Sequence, residues 1–170
     1  FEALDVRTIR YGLGAIKGVG YGAVEAIVKA RAEGGPFASL LDLCQRVDAT
    51  HLNKRVLEAL IHAGALDALA PNRATLMAQL PEVVKAADQR LRERAAGQSS
   101  LFGFDATPSA GSAGAALVLP QVAEWPLMQL LNGERDTLGP YLPGHPTDAH
   151  RELIEPPVTV PIGRLEEIPR

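Results

Sequence analysis

A glycine-rich turn that runs directly into an apolar helical pattern constrains this chain more than any other feature. Five glycines fall within residues 12–22, and apolar residues stand between them. Glycine at this density weakens a regular helix or strand, so it indicates a backbone shape that other residues resist. The residues that follow have helical spacing, with Val24, Ile27 and Val28 expected on the buried face. Residues 16–20 are therefore predicted to form a tight turn that opens a helix.

Such a turn suits a phosphate group. Without a Cβ at Gly18 and Gly20, a phosphate oxygen can approach the backbone amides. The free N–H groups and the positive end of the next helix dipole favour its negative charge, and Lys17 adds a charge-assisted contact. The order apolar, any, glycine, apolar, glycine before a helix is similar to the helix-hairpin-helix module, which holds the DNA backbone without reading bases. From glycine content alone, a turn that merely packs two helices stays open as the alternative. Walker and dinucleotide-binding loops do not fit, since neither a Gly-Lys-Ser/Thr ending nor a crossover strand is present.

Three blocks extend the similarity beyond one module: Ile9–Gly20, Phe37–Cys44 and Leu52–Ile61. In their order, spacing and residue identities they resemble the alpha subunits of bacterial DNA polymerase III, the C-family replicative polymerases. The similarity continues to about His150.

This resemblance implies a mainly α fold with three parts. The first is a tandem helix-hairpin-helix DNA-binding domain over residues 1–96. A clamp-binding motif and flexible linker follow over residues 97–120, where the composition changes to Ala, Ser, Gly, Thr and Pro. Residues 121–170 are expected to form a short helical connector toward an oligonucleotide-binding barrel that this chain does not contain.

The sequence after residue 61 resembles a second, degenerate hairpin. Gly64 is its only glycine, and fewer exposed amides make a poorer phosphate site. A mainly structural role is favoured for it, although Lys54, Arg55 and Arg73 can still reach a DNA backbone. Together the two hairpins give the predicted DNA-binding set: Lys17, Gly18, Val19, Gly20, Tyr21, Gly22, Lys54, Arg55, Gly64 and Arg73.

Capping and breaking residues predict where the helices begin and end. The first helix should stop at residues 34–36, which read Gly-Gly-Pro. Ser39 is expected to cap a short second helix, and Asp48 or Thr50 the third. Pro81 is expected to end one helix or start another rather than lie inside one.

A short motif just after the helical domain carries the second functional prediction. It comprises Gln98, Ser99, Ser100, Leu101 and Phe102. Gln-x-x-Leu-Phe resembles the pentapeptide by which bacterial polymerases hold the sliding clamp. Two apolar side chains would fill a pocket at roughly 1.5–3 kcal/mol each, and the glutamine amide would fix the register. The alternative is that the apolar residues fold back onto the helical domain.

Charge is divided unevenly along the chain. Residues 1–97 carry 13 Lys and Arg against 11 Asp and Glu, a net charge of +2, whereas residues 98–170 carry 4 against 9, a net charge of −5. The overall charge is therefore −3. The first part can offer a local basic face, but +2 is modest. DNA affinity is therefore expected to be weak and steeply dependent on salt.

Catalytic chemistry is not evident in this sequence. No Asp-x-Asp pair or trusted metal-ligand spacing is present, and the single Cys44 is predicted to be a reduced, buried thiol. No cofactor is expected here. The resemblance implies a DNA-directed DNA polymerase (a nucleotidyltransferase) as the parent, with two divalent metals, taken as magnesium, in a catalytic site that lies elsewhere.

The resemblance also implies the partners: double-stranded DNA, the beta sliding clamp and other DNA polymerase III holoenzyme subunits. A cytoplasmic location without membrane contact is expected. Three alternatives stay open at this point. They are an error-prone C-family paralogue, an independent helix-hairpin-helix DNA-repair module, and a purely structural helical spacer.

Overall fold

The computed structural model describes residues 2–3, 5–6, 8–95, 119–142 and 144–150, and these residues are mainly helical. The short antiparallel ribbon at the start pairs Glu2 with Arg10 and Ala3 with Ile9. The elements of the described chain are β1 (Glu2–Ala3), β2 (Ile9–Arg10), α1 (Tyr21–Gly34), α2 (Leu40–Arg46), α3 (Lys54–His62), α4 (Arg73–Ala95) and α5 (Leu127–Thr137), with 3-10 turns at Leu13–Ala15, Asp67–Leu69 and Pro146–His150. The predicted mainly α fold is confirmed.

The first helix ends where the Gly-Gly-Pro sequence predicted, and Arg46 of α2 closes that end. Its Nη2 donates to the carbonyls of Ala30 at 2.6 Å and Gly35 at 2.8 Å. Its guanidinium also lies 4.4 Å from the centroid of the Phe37 ring. A Cβ at Gly34 would come within 2.7 Å of Arg46 Nη2, so glycine leaves the room that this contact needs. One side chain thus caps α1 and joins it to α2.

The buried face of α1 differs from the predicted one. Ile27 is buried as expected, but Val24 is only half-buried and Val28 is 45% exposed. Ala23 and Ala30 occupy the buried positions instead. The small alanine side chains let α1 lie close to its neighbours. The prediction placed the two valines on the buried face because they are apolar, and so it assigned the wrong face of the helix to the core.

The predicted helix cap was right for α2 and wrong for α3. Ser39 caps α2 as predicted, with its Oγ accepting from Asp42 N at 3.1 Å. The prediction for α3 was wrong, because Asn53 caps it by accepting from Val56 N at 3.1 Å. Asp48 instead accepts from the backbone N and the Oγ1 of Thr50, both at 2.8 Å, and so closes a turn five residues before the cap.

Pro81 lies inside α4, so the prediction that it would bound a helix was wrong. It is on the exposed side, while Leu76, Leu80 and Val83 are fully buried on the other. An interior proline costs a helix about 3 kcal/mol. Each of those buried side chains stabilises by roughly 1.5–3 kcal/mol, which is enough to hold the helix through the proline.

The core lies where α2 and α3 pack against α4, with α5 packed on α3. Cys44 is buried there as predicted, and burial, assisted by the nearby Asp88, raises the pKa of its thiol to about 11. Among the described residues, the fully buried apolar side chains are Leu40, Leu43, Leu57, Leu60, Ile61, Leu76, Leu80, Val83 and Leu131.

Residues 119–142 belong to the same packed unit. Leu119, Trp125 and Leu138 of this segment pack against the core. The sequence-based division, with a separate connector after residue 120, stays a prediction. The predicted clamp motif, the rest of the linker up to residue 118 and residues 151–170 lie outside the described ranges. Within those ranges, no helix is both long and apolar enough to span a membrane.

Candidate nucleic-acid interface

The first hairpin is a tight turn whose apolar residues anchor it to the core. A 3-10 turn at Leu13–Ala15 leads in, and Ile16 and Val19 are only 4% and 7% exposed. Val19 N donates to Ile16 O at 3.1 Å, which closes the turn between them. Gly18 has φ +93°, a conformation that favours glycine, and a Cβ there would lie 3.5 Å from the Ala59 methyl of α3. Val19, predicted as a DNA-binding residue, thus presents only its backbone.

The turn presents a set of open backbone donors at the start of α1. The N–H groups of Gly18, Gly20, Tyr21 and Gly22 have no acceptor in the part of the chain that the structure describes. Gly20 is the N-cap and offers no side-chain oxygen. Exposed donors at a helix N-terminus attract an anion. The backbone N–H of Lys17, in contrast, already donates to Thr137 O at 2.8 Å.

Neither the backbone conformation nor a neighbouring atom requires glycine at position 20. Its φ of −77° is open to any residue, and a Cβ would meet nothing within 4 Å. The space beside it is open to solvent and borders the free donors. A side chain could therefore be accommodated at this position without an internal clash.

Positive and aromatic side chains surround these donors. Lys17 and Tyr21 are exposed, the latter by 81%. Arg55 precedes Ala59 by one helical turn and so lies on the face of α3 that meets Gly18. Arg55 has no carboxylate within 4.0 Å among the described residues. Lys54 is exposed too but lies 3.6 Å from Glu58.

One neighbour of the hairpin was missed by sequence reasoning. The ring of His51 lies so close to Gly22 that a Cβ there would be 3.1 Å from its Nδ1. His51 is exposed and stands beside the first turn of α1. No local motif indicates this contact, since the two residues are 29 positions apart.

The second hairpin is closed by internal contacts. Gly64 has φ +73°, and a Cβ there would collide with the Arg73 guanidinium. Arg73 is itself 88% buried in its side chain, with Nε 2.9 Å from Asp67 Oδ1 and Nη1 2.8 Å from Glu134 Oε1. Burial alone lowers the pKa of Arg73, but these two carboxylates outweigh it and raise the pKa. Gly64 and Arg73 were both predicted to contact DNA; in the structure the Arg73 guanidinium pairs with two carboxylates of the protein and fills the space beside Gly64.

The start of α4 is occupied as well. Glu124 accepts from Arg73 N and Ala74 N at 3.0 Å each, and Asn72 accepts from Thr75 N at 2.7 Å. Partial burial raises the pKa of Glu124. Three backbone donors and the Arg73 charge together lower the pKa by more, so that the net shift is downward. The two hairpins therefore differ in one chemical respect: the first leaves its helix amides open, whereas those of the second are satisfied by Asn72 and by Glu124 from the segment 119–142.

No group of three or more His, Cys, Asp or Glu side chains in the described ranges is placed to hold a metal ion. The prediction of a chain without a cofactor is not tested by this finding. It stays a prediction.

Comparison with known proteins identifies relatives of both the motif and the longer chain. A family described as helix-hairpin-helix motif matches residues 1–76. A protein named DNA polymerase III subunit alpha from Xylella fastidiosa (strain Temecula1 / ATCC 700964) is 57% identical over 155 residues, which is 91% of this chain and 13% of that protein. The protein of the same name from Escherichia coli (strain K12) is 48% identical over 156 residues, with the same two shares. The one from Pseudomonas aeruginosa is 48% identical over 88% of this chain and 14% of its own length. This chain thus spans about an eighth of these curated relatives.

Proposed function

Because this chain belongs to the family of DNA polymerase III alpha subunits, we propose that it grips duplex DNA by its backbone and tethers the polymerase to the sliding clamp for processive synthesis. The same proposal includes DNA synthesis by the whole protein with two magnesium ions. It also includes the holoenzyme partners and a cytoplasmic location. Membership of this family displaces the independent repair module as an alternative. An error-prone paralogue is disfavoured by relatives that carry the alpha-subunit name.

The observation that carries the DNA proposal is the set of open N–H groups at Gly18, Gly20, Tyr21 and Gly22. Backbone amides recognise a phosphate through its oxygens and carry no information about the base. Lys17, Lys54 and Arg55 would supply the charge around them, and Val19 would hold the turn on the core. The grip is therefore independent of sequence. Gly64 and Arg73 are left out of this interface because their surroundings are already filled by the protein itself.

The strength of this grip follows from the small number of cations. Each neutralised phosphate of duplex DNA contributes about 0.9 to the slope of log affinity against log salt. Three side-chain cations thus predict a slope of about −3 and weak binding at physiological salt. A weak contact of this kind becomes useful when a second contact on the same chain raises its effective concentration.

Charge-removal variants test the DNA proposal. We expect Lys17→Ala and Arg55→Ala each to weaken duplex binding. Each should also make the slope of log affinity against log salt shallower by about 1. Arg31→Ala is a matched control, because Arg31 is exposed on α1 about 15 Å from the hairpin along the helix axis. Fluorescence anisotropy with a labelled duplex, repeated from low to moderate salt, gives both quantities. Absence of binding by the unchanged chain at low salt would favour a structural spacer instead.

The second half of the proposal concerns Gln98, Ser99, Ser100, Leu101 and Phe102, which lie outside the described residues. It is supported by the match to the Gln-x-x-Leu-Phe pattern and by the family to which the chain belongs. The double variant Leu101→Ala/Phe102→Ala should lose binding to a bacterial beta sliding clamp in surface plasmon resonance. Phe104→Ala removes a nearby aromatic ring outside the pattern and should retain binding. Equal binding by both variants would place the clamp contact elsewhere.

A further inference from the structure

Residues 119–142, here called the strap, connect the closed second hairpin to the open first one. The strap is fixed to the second hairpin through Glu134, which is fully buried. Glu134 Oε1 accepts from Arg73 Nη1, and Glu134 Oε2 accepts from Leu142 N, both at 2.8 Å. A buried carboxylate is stable only while such partners stay in place. The position of α5 at this residue is therefore tightly defined.

Two further contacts hold the strap against α3. Trp125 stacks on His62 of α3, with ring centroids 5.2 Å apart and planes inclined by 21°. Gly133 of α5 faces the same histidine, and a Cβ there would come within 2.8 Å of His62 Nδ1. Glycine at 133 thus lets α5 approach α3 closely. Together with the Glu134 pair, these contacts anchor the strap on the side of the second hairpin.

The other end of the strap contacts the first hairpin directly. Thr137 O accepts from Lys17 N at 2.8 Å, inside the turn that presents the open amides. Leu138 O accepts from the Tyr11 hydroxyl at 3.1 Å, just before the same turn. Glu134 and Thr137 are three residues apart on α5, about 4.5 Å along the helix axis. A movement of Glu134 is therefore transmitted to the carbonyl that holds Lys17.

We propose that Glu134 is a positioning residue for the first hairpin: the buried Arg73–Glu134 pair sets the place of α5, and α5 sets the turn at Lys17. The second hairpin, closed to DNA, then acts as the support of the first. The consequence for DNA binding rests on the proposed function, whereas the consequence for the turn does not.

Glu134→Gln in the 170-residue chain tests this inference. The variant keeps the side-chain shape, but its single oxygen can accept from Leu142 N or from Arg73 and not from both as the two carboxylate oxygens do, and the negative charge that faces Arg73 is lost. We expect hydrogen exchange at the Lys17 amide, followed by NMR, to become about two- to tenfold faster, the range set by one net hydrogen bond. Duplex affinity should fall by a similar factor with an unchanged salt slope, since every interface cation is retained. Tyr11→Phe, which spares the buried pair, should change both quantities in the same direction and by less.

Asp42→Asn provides the matched control. Asp42 lies 3.1 Å from Arg46 in a partly buried pair that does not touch the strap. It should lower the melting temperature without changing exchange at Lys17 or duplex affinity. Unchanged exchange at Lys17 in both Glu134→Gln and Tyr11→Phe would overturn the inference, as would an equal change in Asp42→Asn. The exchange measurement needs no DNA, so failure of the parent chain to bind duplex would contradict the proposed function and leave this test intact.

Discussion

Gly20→Asp separates the stability of the first hairpin from its binding of DNA. Asp is a good N-cap, and here it would replace a glycine that makes no side-chain bond to the amides of α1. Because φ is −77° and nothing lies within 4 Å of a Cβ, the new side chain meets no internal obstacle. Capping adds a few tenths of a kcal/mol over glycine, and the helix dipole about 0.3–1 kcal/mol. The melting temperature should therefore rise by about 1–4 °C.

The same substitution should weaken DNA binding strongly. The carboxylate would accept from the amides that a phosphate needs, as Glu124 accepts from those of α4, and it would also repel the phosphate charge. One hydrogen bond to a charged group contributes about 1.5–3 kcal/mol, so we expect at least about a tenfold loss of duplex affinity at low salt. Gly12→Asp is the control with equal charge, since a Cβ at Gly12 also meets nothing within 4 Å. Thermal unfolding by circular dichroism and duplex anisotropy give the two readouts. Equal affinity losses in Gly20→Asp and Gly12→Asp, or none in either, would refute the reasoning.

Three further predictions concern the helical body. Arg46→Ala removes the cap of α1 and the stacking on Phe37, and should lower the free energy of unfolding by about 2–3 kcal/mol in urea titrations. Pro81→Ala should raise it by about 2 kcal/mol, because the exposed proline deprives α4 of a backbone donor and alanine restores it. Cys44 should resist alkylation by iodoacetamide at pH 8, followed by mass spectrometry, since burial raises the pKa of its thiol to about 11 and little thiolate forms; denaturant should restore the reaction.

Local patterns were enough to predict the turn, the end of α1 and the cap of α2. The density of glycines predicted a special backbone shape with a tight turn over residues 16–20, and Gly18 adopts a positive φ there. The cap by Ser39 followed from its neighbours. The prediction for α3 failed because Asp48 and Thr50 bond to each other, which leaves the cap to Asn53. Pro81 was misplaced because a local rule cannot weigh the buried side chains that hold α4 on both sides of it.

The closed state of the second hairpin could not be predicted from a local pattern. It depends on Glu124 and Glu134, which lie 50 and 61 residues from their partners Ala74 and Arg73. A sequence shows Arg73 as an available cation near a turn. Only the fold shows that Arg73 Nη1 donates to Glu134 of the strap, in addition to the nearby Asp67 that takes Nε and Nη2. The same holds for His51, whose place beside Gly22 is set by the packing of the loop before α3 against α1.

The most direct test of the DNA-gripping interface is a salt titration of this chain against two duplexes of unrelated sequence. The account predicts equal affinities for both duplexes, with log affinity falling linearly against log salt at a slope of about −3. It also predicts that Gly20→Asp removes most of this binding from both duplexes alike. A clear preference for one sequence, or an affinity that does not change with salt concentration, would contradict an interface made of backbone amides and a few cations.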